Sequence, residues 1–130
     1  STRITTRIRN NLVLYGNPLK FYQIAVNLIG NAIDATSALA IRESCVTVEL
    51  LRTHGRIVLR VTDNGIGIPV EFHSQIFDPF FTTKEKSGMG IGLSNTKEIV
   101  ERHFNGTITF VSTPDIGTIF TVRTPRKNKQ

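Results

Sequence analysis

Apolar and polar residues alternate with a period of two over 45–52 and 56–63, where Val46, Val48 and Leu50 are followed by Ile57, Leu59 and Val61. That spacing predicts two strands joined through Thr53-His54-Gly55 as a hairpin turn. Shorter runs predict strands over 3–9 and 12–15, and over 107–112 and 117–123, the last two flanking Thr113-Pro114-Asp115. Two stretches have helical spacing instead. One helix is predicted over 18–39, with Asn17 as its N-cap and Pro18 in its first turn. The other is predicted over 91–104 and ends at Asn105-Gly106. Residues 63–69 read as a glycine-punctuated turn and 70–76 as a short helix. Residues 77–90 lack a clear period and contain Pro79, Gly88 and Gly90, so they read as a long loop, of a kind that is usually functional or disordered. The layout predicts one domain over 1–130 and a two-layer α/β (α+β) sandwich, its sheet mixed and largely antiparallel with helices on one face.

The first predicted helix breaks its own pattern. Asn27, Asn31 and Asp34 stand at i, i+4 and i+7, within an arc of roughly 60° on one helix face. Asn and Asp compete with the helix backbone for hydrogen bonds. Three of them on one face require something polar for that face to meet.

Composition narrows the classes. At 130 residues, with 39% hydrophobic and 20% charged positions, the chain suits a single soluble domain with a genuine core. No apolar run approaches the ~18 residues of a membrane span, and no secretory leader pattern opens the chain. Cys45 is the single cysteine, which excludes an intramolecular disulfide and a cysteine metal cluster. The net charge of +6 is scattered, densest at Arg123, Arg126, Lys127 and Lys129. That tail reads as a solvated terminus or as a surface attracted to polyphosphate. No aromatic RNA-reading motif or zinc-finger spacing accompanies it, so nucleic acid is not an expected partner.

Three places carry candidate chemistry. There is no P-loop, and Gly88-Met89-Gly90-Ile91-Gly92 is not a dinucleotide fingerprint. Yet this glycine run ends a loop and opens a helix, where free N–H groups and a partial positive charge suit phosphate. Lys84 lies just upstream as a point charge for the same anion. Asp63 ends a strand and begins D-N-G-x-G, so its carboxylate can accept from an amino group while Gly65 and Gly67 leave room for a flat ring. Asn31 offers a neutral oxygen of the type Mg²⁺ takes, alongside phosphate and water. Each also has a plain structural explanation: a glycine-rich loop with an exposed Lys, an Asp-initiated turn, and an Asn bonded to nearby backbone.

Together the motifs resemble a known family. Asn27-x-x-x-Asn31-Ala32-x-Asp34-Ala35 looks like an N box and Asp63-Asn64-Gly65-Ile66-Gly67 like a G1 box. Phe77-Asp78-Pro79-Phe80-Phe81-Thr82-Thr83-Lys84 looks like an F box. Gly88-Met89-Gly90-Ile91-Gly92-Leu93 looks like a G2 box and Gly117-Thr118-Ile119-Phe120 like the last glycine box. In this order they cover nearly the whole chain and resemble the catalytic and ATP-binding domain of sensor histidine kinases, of the Bergerat-fold ATPase superfamily. The resemblance implies ATP and Mg²⁺ as cofactors, with Asn31 as the metal residue and Asn27 assisting at the phosphates. It implies Asp63 as acceptor for the adenine amino group, with Gly65, Gly67 and Ile68 lining the base pocket and Thr118 near the base through water. Residues 78–90 become an ATP lid, in which Thr83, Lys84, Gly88, Met89, Gly90, Gly92 and Leu93 complete the nucleotide set. Phe77, Phe80 and Phe81 are expected to anchor the lid or meet a partner domain rather than touch ATP. No catalytic residue is assigned within the chain itself, Lys84 being a phosphate contact.

Related members that hydrolyse ATP carry a water-activating Glu where this chain has Asn27, and an amide is no general base at neutral pH. The resemblance therefore implies phosphoryl transfer to histidine rather than hydrolysis. His54, His73 and His103 all lack the acidic-then-Pro context of a histidine acceptor. His54 reads as a turn residue and His103 as a helix C-terminal one. The acceptor is then expected on an upstream dimerisation domain of a longer, homodimeric kinase with a downstream response regulator, and the isolated domain is expected to be a monomer. The expected place is the cytoplasmic portion of a parent that is soluble or membrane-anchored. The alternative is a nucleotide-binding regulatory module without phosphotransfer. Asp34 departs from the Lys or Arg common at its position and has no assigned role.

Overall fold

The computed structural model describes residues 2–39, 42–79, 81 and 89–125, with the backbone alone over 89–91. The order is β1 (Thr2–Ile8), α1 (Pro18–Ser37), β2 (Ser44–Thr53), β3 (Arg56–Asp63), a 3₁₀ turn at Val70–Phe72, α2 (Met89–Phe104), β4 (Thr107–Thr113) and β5 (Gly117–Arg123). The strands form one sheet in the order β1-β2-β3-β5-β4. Only β1 and β2 run parallel; the other pairs are antiparallel. Both helices pack on one face, as the alternation predicts.

Local chemistry explains the boundaries. Asn17 caps α1 by accepting from Leu19 N–H (2.8 Å) and Lys20 N–H (3.4 Å), and Pro18 opens the first turn. The missing N–H of that proline costs nothing at a position with no helical partner. Asn105 turns the chain left-handed (φ 51°), and Gly106 N–H returns to the Val100 carbonyl (3.0 Å), ending α2. His54 takes φ 53° in the β2–β3 turn, the place expected for it.

The predicted strand over 12–15 is absent. Its alternation is real, since Leu12 and Leu14 are half-buried while Val13 and Tyr15 are exposed. What is missing is a neighbour to pair with. Asn11 (φ 64°) turns the chain out of β1, which runs parallel to β2, so the following residues must travel to α1 instead of folding back. Leu12 and Leu14 then line a 230 Å³ hollow with Phe21, Leu50, Ile57 and Phe104. The predicted helix over 70–76 is one 3₁₀ turn followed by further turns.

The core lies between sheet and helices. Ile24 and Leu28 of α1, Val46 of β2, Val61 of β3 and Val100 of α2 are fully enclosed. Parity along the strands decides what else faces inward: Asp63 shares a face with Leu59 and Val61, Thr118 with Phe120 and Val122, and Ser112 with Ile108. Register then sets Asp63 opposite Thr118, and Thr118 opposite Ser112. A polar row therefore crosses the helix-covered face at one end of an otherwise apolar sheet. Among the described residues, no helix is long and apolar enough to cross a membrane.

Leu28→Ala removes a fully buried side chain from the centre of α1. It is expected to cost about 2–5 kcal/mol, read as a fall in the urea midpoint at unchanged slope.

Candidate functional site

The polar face of α1 does not act as one unit. Asn31 is 9% exposed and lies on the core side with Ile24 and Leu28, Asn27 is half-buried, and Asp34 is exposed. The 60° arc accounts for this, since Asn31 and Asp34 stand at its two edges. Asn27 Nδ2 donates to Thr96 Oγ1 (3.0 Å), and Thr96 Oγ1 donates to the Gly92 carbonyl (2.6 Å). One hydroxyl, itself fully buried, thus ties α1 to the glycine run that opens α2. Asn31 Nδ2 is buried with no hydrogen-bond partner, alone in this among the described side chains. Leaving such a group unpaired costs about 1–3 kcal/mol.

That amide fits a ligand of phosphate and hard cation. Its idle donor suits a phosphate oxygen, and the same group turned over presents a neutral carbonyl oxygen to Mg²⁺. No group of three or more His, Cys, Asp and Glu is gathered for a metal among the described residues. A cation here would rely on the nucleotide and water for its remaining oxygens, as Mg²⁺ commonly does.

Eight residues along α1 from Asn27, about 12 Å at the helical rise, Ala35 meets the loop that follows β3. Its carbonyl accepts from Ile66 N–H (3.2 Å). A Cβ on Gly65 would lie 2.5 Å from that same carbonyl, and one on Gly67 (φ +70°) would lie 2.3 Å from the Thr113 carbonyl. At both glycines the missing side chain makes room for neighbouring backbone. Ile68 N–H donates to Ser112 Oγ (2.8 Å), and Ser112 Oγ lies 2.8 Å from Thr118 Oγ1. His73 Nε2 bonds the Ile68 carbonyl (2.9 Å) while its ring packs edge-on against Phe110.

Asp63 closes this end. It is 7% exposed and its Oδ1 accepts from Gly65 N–H (2.8 Å). Burial pushes its carboxyl up from 3.8 to about 6, against the opposing pull of the backbone N–H groups of Gly65 and Thr118. Asn64 points the other way, accepting from Cys45 N–H (2.9 Å) and donating to the Glu43 carbonyl (2.7 Å).

Of the expected site residues, the structure gathers Asn27 and Gly92 at one end of the α1 face and Asp63, Gly65, Gly67, Ile68 and Thr118 at the other, with Asn31 between. Leu93 is buried in the core, and Gly90 lies in the first turn of α2. Thr83, Lys84 and Gly88, with most of the expected lid, lie outside the described residues, as do Phe80 and the basic tail beyond Pro125. The Met89 side chain is also outside them. Phe77 packs against Phe110 and Phe120 with Lys97 over its ring, and Phe81 against Phe72, so both anchor their segment to the body. Thr96 and Ser112 were missed, although each has a signal: a polar residue on an otherwise apolar helix face and on an inward strand position.

Residues 16–128 match the family described as histidine kinase-, DNA gyrase B-, and HSP90-like ATPase. The chain is 37% identical over 113 residues (87% of it) to the C4-dicarboxylate transport sensor protein DctB of Rhizobium meliloti (strain 1021). It is 30% identical over 125 residues (96% of it) to sporulation kinase B of Bacillus subtilis (strain 168). It spans 17% and 28% of the lengths of these two relatives. The catalytic domain of histidine kinase ThkA superposes with a TM-score of 0.80 at 28% identity, covering 96% of this chain and 79% of that one.

Asp63 makes stability depend on pH in a stated direction. The folded state holds its proton up to about pH 6 and the unfolded chain only to 3.8. Over that interval the native state binds more protons, so this contribution is full below 3.8 and is lost as pH rises through about 6. The shift is worth about 3 kcal/mol. In Asp63→Asn the wild-type decline between about pH 4 and 7 is expected to flatten, as measured by urea unfolding across that range. Parallel profiles for the two proteins would refute it.

Proposed function

The chain belongs to the histidine kinase-, DNA gyrase B-, and HSP90-like ATPase family as a sensor histidine kinase ATP-binding domain, and from that membership we propose that it binds ATP with Mg²⁺ and donates the γ-phosphoryl group to a histidine outside this chain. The nucleotide lies along α1, adenine at Asp63 and phosphates toward Asn31, Asn27 and the glycine run. Asp63 accepts from the adenine amino group, and the neighbouring backbone of Gly65 to Ile68 forms the wall of that pocket. Thr118, bonded to Ser112, is held at its rim. Asn31 turns its unpaired amide to the metal and phosphates. When bound, Mg²⁺ neutralises charge that develops on the phosphate oxygens.

The observation that carries phosphoryl transfer over hydrolysis is Asn27. Its amide nitrogen is committed to Thr96. An amide so held orients and polarises, but takes no proton from water. A histidine nucleophile needs no such base when its ring nitrogen is neutral: that nitrogen bonds phosphorus, the bridging β–γ oxygen leaves with ADP, and the ring proton passes to solvent. None of the chain's own histidines is proposed for this role. His73 is pinned by the Ile68 carbonyl, His54 sits in a turn, and His103 lies in the last turn of α2. The partners that follow are an upstream dimerisation domain bearing the acceptor and a response regulator downstream, within a homodimeric kinase whose ATP domain lies in the cytoplasm.

Two measurements test this. Asn31→Ala is expected to weaken ATP binding in Mg²⁺ by tenfold or more, about 1.4 kcal/mol, and much less in EDTA, by calorimetry. Equal affinity in Mg²⁺ would sink the metal assignment. Mixing the domain with its parent's histidine-bearing domain and γ-labelled ATP is expected to place acid-labile label on histidine. Tight binding without transfer would make the chain a regulatory nucleotide module, and brisk hydrolysis by the isolated domain would overturn the role given to Asn27.

A further inference from the structure

Arg42 stands in the connection between α1 and β2, is exposed, and is not itself assigned to the nucleotide. Its Nη2 donates to the Asn64 carbonyl (2.7 Å) and the Asp115 carbonyl (2.7 Å), with longer contacts to the carbonyls of Gly65 (3.4 Å) and Ile116 (3.3 Å). Its Nε adds a second bond to the Asn64 carbonyl (3.1 Å). The acceptors come from two separate segments: the loop after β3 and the turn between β4 and β5. Carbonyl oxygens gathered from two segments repel one another, and a guanidinium supplies both the charge and a planar fork of donors to hold them.

What lies one peptide away gives this cluster its meaning. The Asp63 carboxylate is held by two backbone donors, Gly65 N–H and Thr118 N–H. The first belongs to the peptide whose carbonyl is that of Asn64. The second lies two residues beyond Ile116. Asp115 N–H also donates to the Ile66 carbonyl (2.7 Å), so the two gripped segments touch directly as well. Asp63 cannot choose its own orientation: its strand ends at it, and its oxygens follow wherever those two N–H groups point.

We propose that Arg42 is a positioning residue for base selection: by gripping both segments that donate to Asp63, it fixes the direction in which the carboxylate's remaining lone pairs face the purine. Arg42 does not touch the nucleotide. The inference rests on the reading of Asp63 as the adenine acceptor. A carboxylate correctly aimed accepts from an exocyclic amino group and rejects the carbonyl that guanine presents at the same place. A carboxylate free to rotate loses that discrimination before it loses binding, because the phosphates are held elsewhere. Lysine is a poor substitute, since a compact ammonium reaches fewer of these carbonyls at once.

The test compares wild type, Arg42→Ala and Arg42→Lys for ATP and GTP affinity by calorimetry in Mg²⁺, with thermal melts alongside. Arg42→Ala is expected to bind ATP about tenfold more weakly while its GTP affinity changes little, so the ATP:GTP ratio collapses. Arg42→Lys is expected to fall between. Millimolar guanidinium ion added to Arg42→Ala is expected to restore ATP preference, with no effect on wild type; general loss of packing gives no such rescue. A wild type that takes ATP and GTP equally overturns the adenine role of Asp63, and the clamp's function with it. A wild type that prefers ATP, beside an Arg42→Ala that keeps that preference or loses both nucleotides equally without guanidinium rescue, overturns the clamp alone. If Arg42→Ala does not fold, the ATP:GTP ratio of Arg42→Lys decides on the same terms.

Discussion

A carboxylate at the inward-facing end of a central strand is the constraint around which the rest of this structure is arranged. Strand parity leaves Asp63 no choice of face: two residues after Val61 and four after Leu59, its side chain must enter the helix-covered side of the sheet. Burial of that charge is unfavourable enough to lift its carboxyl to about 6. Among the described residues the fold meets this with backbone rather than with a cation. Gly65 N–H arrives because the chain turns sharply just after the strand, and Thr118 N–H because β5 pairs in a register that sets Thr118 opposite Asp63. The polar row continues to Ser112, and from there to Ile68. The sheet thus extends its hydrogen bonding past its apolar part and forms one wall of the site.

The second wall is α1, which serves packing and recognition at once. Ile24, Leu28 and Ala32 bury it against the sheet, while Asn31 occupies the same side and leaves a donor unpaired. A helix evolved for stability alone has no use for that residue. Here stability is given up at two places: the unpaired amide of Asn31 and the buried carboxyl of Asp63. Local violations of good packing of this kind concentrate at functional sites. Asn31 stands on α1 itself, while Asp63 ends β3 and is tied to α1 through the loop that follows it, where Ile66 N–H donates to the Ala35 carbonyl.

Much of this was legible in the sequence because the signals were periodic. Period-two alternation located β2, β3, β4 and β5 within a residue or two, and Asn17-Pro18 marked the start of α1 at the residue. Of the three polar breaks in the α1 pattern, Asn31 is buried with an unpaired amide, Asn27 bonds Thr96, and Asp34 is exposed. The misses have physical causes. Alternation over 12–15 reports one-sided burial, which a pairless extended segment shows as well as a strand does, and only the topology of β1 decides between them. The close backbone approach at Gly65 and Gly67 was not legible, because a glycine announces that a side chain does not fit without saying what occupies the space. Arg42 had no local signal: it lies in a connection, outside any period, and its partners are 22 and 73 residues away in sequence.

The pairing of Asn27 with Thr96 bears on how such a site would choose between water and histidine. Asn27 is half-buried on the flank of α1, and its amide nitrogen donates to a hydroxyl that in turn donates to Gly92. That directionality leaves the amide oxygen, an acceptor without useful basicity, and the second N–H free for a ligand. A water at that point would be oriented but not deprotonated, and its attack on phosphorus would gain little. A neutral imidazole arriving from another domain brings its own lone pair and needs only a correctly placed phosphate. The same chain Asn27–Thr96–Gly92 also ties the placement of that residue to the first turn of α2, a helix end whose free N–H groups suit an anion. One buried hydroxyl thus links α1 to the start of α2, which accounts for a threonine between Leu93 and Val100 on the core side of a helix where an aliphatic residue would pack as well.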